Sequence, residues 1–288
     1  MMARIDTLLA QGFSFSVEMS PPKTDEAAAR LDDVFDALAP VHPTFASVTY
    51  GAGGSTRERT HDVVLRLLAR GDITPMAHLT SVAHSRAELV AVLTGYREAG
   101  VQNILALKGD PPPGADGWPA GDFNHAIEVV ELVKEVGPFC VGVAAHPEGH
   151  PQSPDLATDR KYLAEKLRVA DFAVTQFFFR VDDYLGMVED LAARGVDKPV
   201  LPGIMPILNA GSVRRMAELC GAALPAEVIR RVEAVSDDPV SVRSVGVEIA
   251  CELGSALVDA GAPGLHVYTL NRAEATLEIA RALGLGSA

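Results

Sequence analysis

Glu18 stands in FSFSVEMSPPKT with apolar residues close on both sides. A carboxylate in such surroundings is expected to be partly desolvated, which favours its protonated form and suits a general acid. The alternative is a structural carboxylate paired with a Lys or Arg. In LALKGDPPPG, Lys108, Gly109 and Asp110 lead into a run of prolines. Gly109 would let the backbone approach a ligand closely, and the prolines stiffen the loop. Asp110 can accept from two adjacent N–H donors of a nitrogen-rich ring, although an ordinary Gly-Asp-Pro turn looks the same. Gln176, in VTQFFF, is an amide inside an apolar run and needs partners, in a ligand or in the core.

Other patterns exclude chemistries. His146 and His150, in AAHPEGHP, are interrupted by prolines, and neither H-x-H nor H-E-x-x-H occurs, so no metal centre is expected. No G-x-S-x-G elbow supports acyl transfer. The formal net charge is -13, and no cluster of Lys and Arg offers a footprint for nucleic acid. No apolar run is long enough to span a membrane, and MMARIDTLLAQG lacks the apolar core of a signal peptide. Cys140, Cys220 and Cys251 form no C-x-x-C pair, which points to reduced thiols in a cytoplasmic protein.

The residues above need a scaffold that gathers them. Apolar, β-rich runs over Phe13–Met19, Phe45–Tyr50, Pro75–Leu79, Asn103–Lys108, Cys140–His146, Phe172–Phe179, Val200–Pro206 and Leu265–Asn271 read as strands buried on both faces. Helical patterns over Asp25–Leu38, Arg57–Ala69, Arg86–Ala99, Asn124–Val136 and Leu156–Val169 alternate with them. Glu18, Thr49, His78, Lys108, His146 and Gln176 lie at or near successive strand ends, one βα unit of roughly 30 residues apart. Before the last strand, Leu224–Val235 and Val240–Ala260 add helical material, and a short helix over Ile5–Gly12 is placed to plug the barrel bottom. The 288 residues suit one (β/α)8 barrel, a single catalytic domain over 1–288, with its active site at the C-terminal strand ends. An open doubly wound sheet would want a G-x-G-x-x-G turn, and GAGG at Gly51–Gly54 lacks that spacing.

In this order, FSVEMSPPKT, SVTYGAGGSTRERT, AHLTS, ALKGDPPPG, AAHPEGHP, VTQFFF, PGIMPI and VYTLNRAE resemble the methylenetetrahydrofolate reductases over nearly the whole chain. The resemblance implies reduction of 5,10-methylenetetrahydrofolate to 5-methyltetrahydrofolate by NADH or NADPH. By motif, Glu18 resembles the acid that opens the folate's five-membered ring, and Asp110 the carboxylate that binds the pterin and stabilises the cation. Gln176 resembles a folate contact, and Arg272, in TLNR, an arginine near the substrate's glutamate tail. Thr49, His78, Lys108, His146, Asp159 and Lys166 fall where the family holds its dinucleotide.

The chain departs from flavin-bearing relatives in that region. Lys108 stands for Arg and His146 for Tyr. On the helix after the fifth strand Tyr162 and Glu165 stand for Asn and Arg, and Ala210 follows Asn209 where an aromatic is usual. Glu165 would repel a diphosphate. These departures are similar to a flavin-independent branch, so FAD is expected to be absent; FAD held through Lys108, His146 and Lys166 in a shifted pose is the alternative. Outside this reading stand proline-dehydrogenase-like chemistry and a folate-binding regulatory protein without turnover. The expected partner is the small folate itself, and a homo-oligomer stays open.

Overall fold

The structure, a computed structural model, describes residues 3–50, 57–111, 117, 119 and 121–285. The GAGG segment and Pro112–Pro113 of the proline run lie outside the described residues. Eight parallel strands close in chain order: β1 (Ser14–Met19), β2 (Phe45–Val48), β3 (Thr74–Thr80), β4 (Asn103–Leu107), β5 (Cys140–Ala145), β6 (Phe172–Phe177), β7 (Val200–Ile204) and β8 (Gly264–Tyr268). Closure is made by β1 against β8, in a register that pairs Ser14 with Gly264 and Glu18 with Tyr268. The chain is therefore a (β/α)8 barrel.

Between the strands run α2 (Asp25–Leu38), α3 (Arg57–Arg70), α4 (Arg86–Ala99), α5 (Ala126–Val136), α6 (Leu156–Val169) and α7 (Val181–Ala193). Then come α8 (Ala210–Cys220), α9 (Ala226–Glu233), α10 (Pro239–Asp259) and, after β8, α11 (Ala273–Ala282). Local chemistry sets several ends. Ser85 and Glu88 form a capping box at the start of α4, which stops at Gly100 in the left-handed region (φ 89°). Thr24 caps α2 and Asp155 caps α6 through their side-chain oxygens.

Side-chain alternation divides the strands into two faces. On β1, Phe15, Val17 and Met19 join the apolar layer beneath the helices, so Ser14, Ser16 and Glu18 point into the barrel. Inside, Phe45, Met76, Leu105, Cys140, Phe172, Val174 and Leu201 pack as one cluster. The taper is filled by pairing large with absent side chains: a Cβ on Gly142 would come within 2.8 Å of the Phe172 ring. The expected plug exists but is shorter than its pattern suggested. It forms α1 (Ile5–Leu9), which drives Ile5 and Leu9 into that cluster.

Asn103 fixes the plug. Its Oδ1 accepts from the Ile5 amide (2.8 Å), and its Nδ2 donates to the carbonyls of Ala3 and Pro75 (3.2 Å each). The side chain is fully buried, so its loss leaves backbone groups without partners. Asn103→Ala is expected to destabilise the protein by about 2 kcal/mol, lowering the melting temperature with no change at the opposite mouth. Unchanged melting of the variant would show that the plug is held by apolar contact alone.

Candidate active site

Polar side chains collect at the C-terminal mouth because each strand's inward series ends there. Glu18, the last inward residue of β1, is mostly buried, with 18% of its side chain exposed. His78, inward on β3, places Nε2 3.5 Å from Glu18 Oε2, and His266, inward on β8, places its Nε2 3.9 Å from the same oxygen. Burial pushes the His78 imidazole down to about 4, against an opposing pull from Glu18 and a further lowering by His266. His78 is thus neutral at neutral pH, and its Nε2 has no hydrogen-bond partner. An unpartnered ring nitrogen beside a carboxylate is a place where a ligand atom or a proton can be received.

Sequence reasoning missed His266. In LHVY it reads as one more residue of an apolar strand. In the structure it is 1% exposed and stacks on Phe45 at 5.6 Å between ring centres. Its Nδ1 lies 2.8 Å from Ser16 Oγ and its Nε2 3.3 Å from Ser47 Oγ. The signal that could have found it is the period-2 alternation of polar inward residues Ser16, Ser47, His78 and Glu18, which a histidine on the closing strand completes.

The mouth of β8 is tied to that of β1. Thr269 Oγ1 donates to the Glu18 carbonyl (2.7 Å). Asn271 exchanges two hydrogen bonds of 2.8 Å with the backbone of Ser20. Leu270 and Asn271 both adopt the left-handed region, at φ 53° and 56°. Arg272 follows at the start of α11, exposed, and lines a cavity of ≈ 580 Å³ together with Leu208, Arg243 and Asn271. This cavity lies beside the β8 end and reaches Asp33 on α2, away from the Glu18–His78 pair.

A second group forms at β4, β5 and α6. The Lys108 carbonyl accepts from the Ser81 and Val82 amides (3.2 and 2.9 Å), which binds the end of β4 to the loop after β3. Gly109 has φ 84°, and a Cβ there would come within 2.8 Å of both Thr80 and Val82. The glycine is thus required by contact with the protein itself. Asp110 is exposed beyond it and contributes to the fields at His150 and Cys220. Thr49, just past β2, is held by its amide on the Met19 carbonyl (2.9 Å).

His146 and His150 meet edge to face at 4.6 Å. Burial pushes His146 down to about 3, helped by His150, Lys166 and Arg160, and it lowers His150 as well. Lys166 Nζ donates to the Ala144 carbonyl (2.9 Å), and burial brings this amine down to about 8, partly offset by Asp159. Asp159 is buried and accepts from Ser153 Oγ (3.0 Å). Tyr162 flanks the Asp159–Lys166 face and is exposed. Glu165, six residues past Asp159, lies roughly 120° round the helix, with Lys161 at 4.0 Å. Gln176 sits at the end of β6, its Oε1 accepting from the Phe177 amide (3.0 Å). No described contact joins it to Glu18 or Asp110.

Comparison with known proteins identifies the family. The sequence profile of the family "Methylenetetrahydrofolate reductase" matches residues 4–284. The 5,10-methylenetetrahydrofolate reductase of Escherichia coli (strain K12) is 35% identical over 271 residues, 94% of this chain and 90% of that protein. "Methylenetetrahydrofolate reductase (NADH) 1" of Arabidopsis thaliana is 35% identical over 297 residues, 98% of this chain and 50% of that protein. Among solved structures, a Clostridium thermocellum protein described as binding two copies of 5-methyl-5,6,7,8-tetrahydrofolic acid shares the fold, with a TM-score of 0.65. Its sequence identity is 14%, and the match covers 96% of this chain and 97% of that one. Carrying the family's sequence from end to end on a closed barrel, this chain belongs to the methylenetetrahydrofolate reductases.

Proposed function

We propose that this chain reduces 5,10-methylenetetrahydrofolate to 5-methyltetrahydrofolate, taking hydride directly from NADH or NADPH. The observation that carries the reading is the Glu18 carboxyl, nearly enclosed at the barrel mouth beside a neutral His78. Glu18 delivers a proton to the nitrogen that leaves as the folate's five-membered ring opens, which generates the methylene iminium. Hydride then adds to the iminium carbon and makes the methyl group. Asp110 accepts from the pterin N–H groups and lowers the energy of the cation. Gln176 contacts the folate, and Arg272 meets its glutamate carboxylates.

Thr49, His78, Lys108, His146, Asp159 and Lys166 receive the dinucleotide. These residues do not fit a tightly retained FAD. A diphosphate wants several N–H donors, yet His146 is neutral, Arg160 is occupied by backbone carbonyls, and α6 offers the buried Lys166 beside an Asp159 carboxylate. Such a donor set suits a ligand that binds weakly and leaves each turnover, since a micromolar ligand needs several kcal/mol less than a permanently held one. Tyr162, exposed at the open side of the same face, leaves an aromatic surface there instead of an amide.

Glu18→Gln removes the proton donor while keeping size and polarity. Its turnover is expected to fall by about 10²–10⁴-fold with folate affinity near wild type. Retention of more than about a tenth of the wild-type turnover would rule out the acid role. Purified protein is expected to be colourless and to oxidise NADH or NADPH only when methylenetetrahydrofolate is present. Stoichiometric FAD released on denaturation, or activity restored only by added FAD, would overturn direct transfer.

Lys166 supplies a pH test. Its burial lowers the amine to about 8, so the charge is present below that pH and lost above it. Dinucleotide Kd is expected to rise between about pH 7 and about pH 9.5. Lys166→Met should bind more weakly at neutral pH and show a flatter profile. A wild-type Kd that tightens with rising pH would exclude Lys166 as a phosphate partner.

A further inference from the structure

Arg160 heads the largest fully buried side chains among the described residues, at 2% exposure. It projects from α6 beneath the turn of residues 146–150. Its Nη1 donates to the His146 carbonyl (2.9 Å), and its Nη2 donates to the Pro147 carbonyl. The guanidinium lies 3.3 Å from Asp159 Oδ2 and 3.7 Å from Asp190 Oδ2 on α7, and its Nε has no hydrogen-bond partner. A buried guanidinium is costly, and an apolar side chain would join α6 to α7 at lower cost. What an apolar residue could not do is grip two consecutive carbonyls, a task that suits the planar fork of Arg.

The same turn is braced on its far side. Glu148 accepts from the Ala223 amide (3.0 Å), and Gly221 packs so closely on Pro151 that a Cβ would fall 2.3 Å from the ring. Between these two supports the chain presents His146 and His150 in contact at 4.6 Å. The Lys166 amine is fixed on Ala144, the last-but-one residue of the strand that leads into the turn.

We propose that Arg160 is a positioning residue: by holding the His146 and Pro147 carbonyls it sets the turn so that both imidazoles and the Lys166 amine form one receiving face for a dinucleotide's diphosphate. The proposal rests on the reading of this region as the dinucleotide cradle. Arg160 itself touches no ligand. It acts through the backbone of the turn, and its loss weakens the dinucleotide without affecting the folate side of the mouth.

The test measures Kd for NADH, NADPH and FAD as separate arms, and for a folate, in wild type, Arg160→Met, Arg160→Lys and Asp190→Ala. The histidine ring resonances of the ligand-free proteins are recorded alongside. Arg160→Met is expected to weaken whichever dinucleotide the wild type binds by about tenfold or more. It should also move the His146 and His150 resonances and leave the folate Kd within about twofold. Arg160→Lys, which keeps the charge but cannot fork across two carbonyls, should fall between. Asp190→Ala, which loosens only the tie to α7, should leave dinucleotide Kd and both resonances unchanged. A folded Arg160→Met or Arg160→Lys with wild-type dinucleotide affinity overturns the proposal, as does an equal loss of folate affinity or an Asp190→Ala that matches Arg160→Met. Should Arg160→Met not fold, Arg160→Lys decides. A wild type that binds none of the three dinucleotides sinks the cradle reading itself, and the inference with it. That outcome differs from a wild type that binds and a variant that binds equally well.

Discussion

Closure of the sheet between β1 and β8 is the contact on which the site depends. Five consecutive residue pairs, from Ser14–Gly264 to Glu18–Tyr268, set this register. Only glycine fits at its base, since a Cβ on Gly264 would lie 2.2 Å from the Ser14 carbonyl. At the top, Thr269 holds the Glu18 carbonyl and Asn271 pairs with Ser20. Two left-handed non-glycine residues stand in that clasp, at a cost of order 1–3 kcal/mol each. The Ser20 hydrogen bonds offset part of it. A slip of one residue at this seam would turn Glu18 outward and bring Val17 into the mouth.

The seam also explains why polar groups survive inside the barrel. His266 on β8 reaches Ser16 across the closing pair and Ser47 on β2, so one ring satisfies hydroxyls from two strands. That network forms a floor beneath Glu18. Above it, His78 and Glu18 face each other at 3.5 Å, too long for a hydrogen bond, with the imidazole held neutral by burial. The floor is satisfied and the layer above it is not. In a barrel, the unsatisfied layer is where a ligand's polar atoms substitute for the missing partners.

Much of this was legible in the sequence because parallel strands buried on both faces leave long apolar runs. The bounds of Asp25–Leu38, Arg86–Ala99 and Leu156–Val169 agree with the helices observed, two of them marked by a Thr or Ser cap and a third by Asp155. Strand ends were read too far. Phe178–Phe179, Met205–Pro206 and Thr269–Asn271 continue the apolar or β-like pattern, yet the ladder stops at Phe177, Ile204 and Tyr268. Beyond the last paired residue the chain must turn over the mouth, and composition does not record that. Single residues were harder. His266 sat unnoticed in an apolar strand, and Arg160, in TDRKYL, reads as an ordinary charged helix residue although it is buried.

The two halves of the mouth are built on different physics, and this bears on how one barrel could serve two ligands. The β1–β3–β8 side is rigid through backbone pairing, with the Glu18 carboxyl sunk among imidazoles and hydroxyls. The β4–β5–α6 side is carried by a turn, whose shape depends on the Arg160 side chain reaching in from α6 and on the Ala223 amide of the loop after α8, which donates to Glu148. A chemical step needs a donor held within a fraction of an ångström, which strands provide. A reductant that must arrive and depart each cycle needs a surface whose attraction is modest. Neutral imidazoles and a single lysine, its pKa brought down to about 8 by burial, provide that kind of attraction. Several arginines in their place would hold a diphosphate more tightly and slow its release. The weakness of the cradle is therefore consistent with a dinucleotide used as substrate, and the depth of Glu18 with a folate activated by a single well-placed proton.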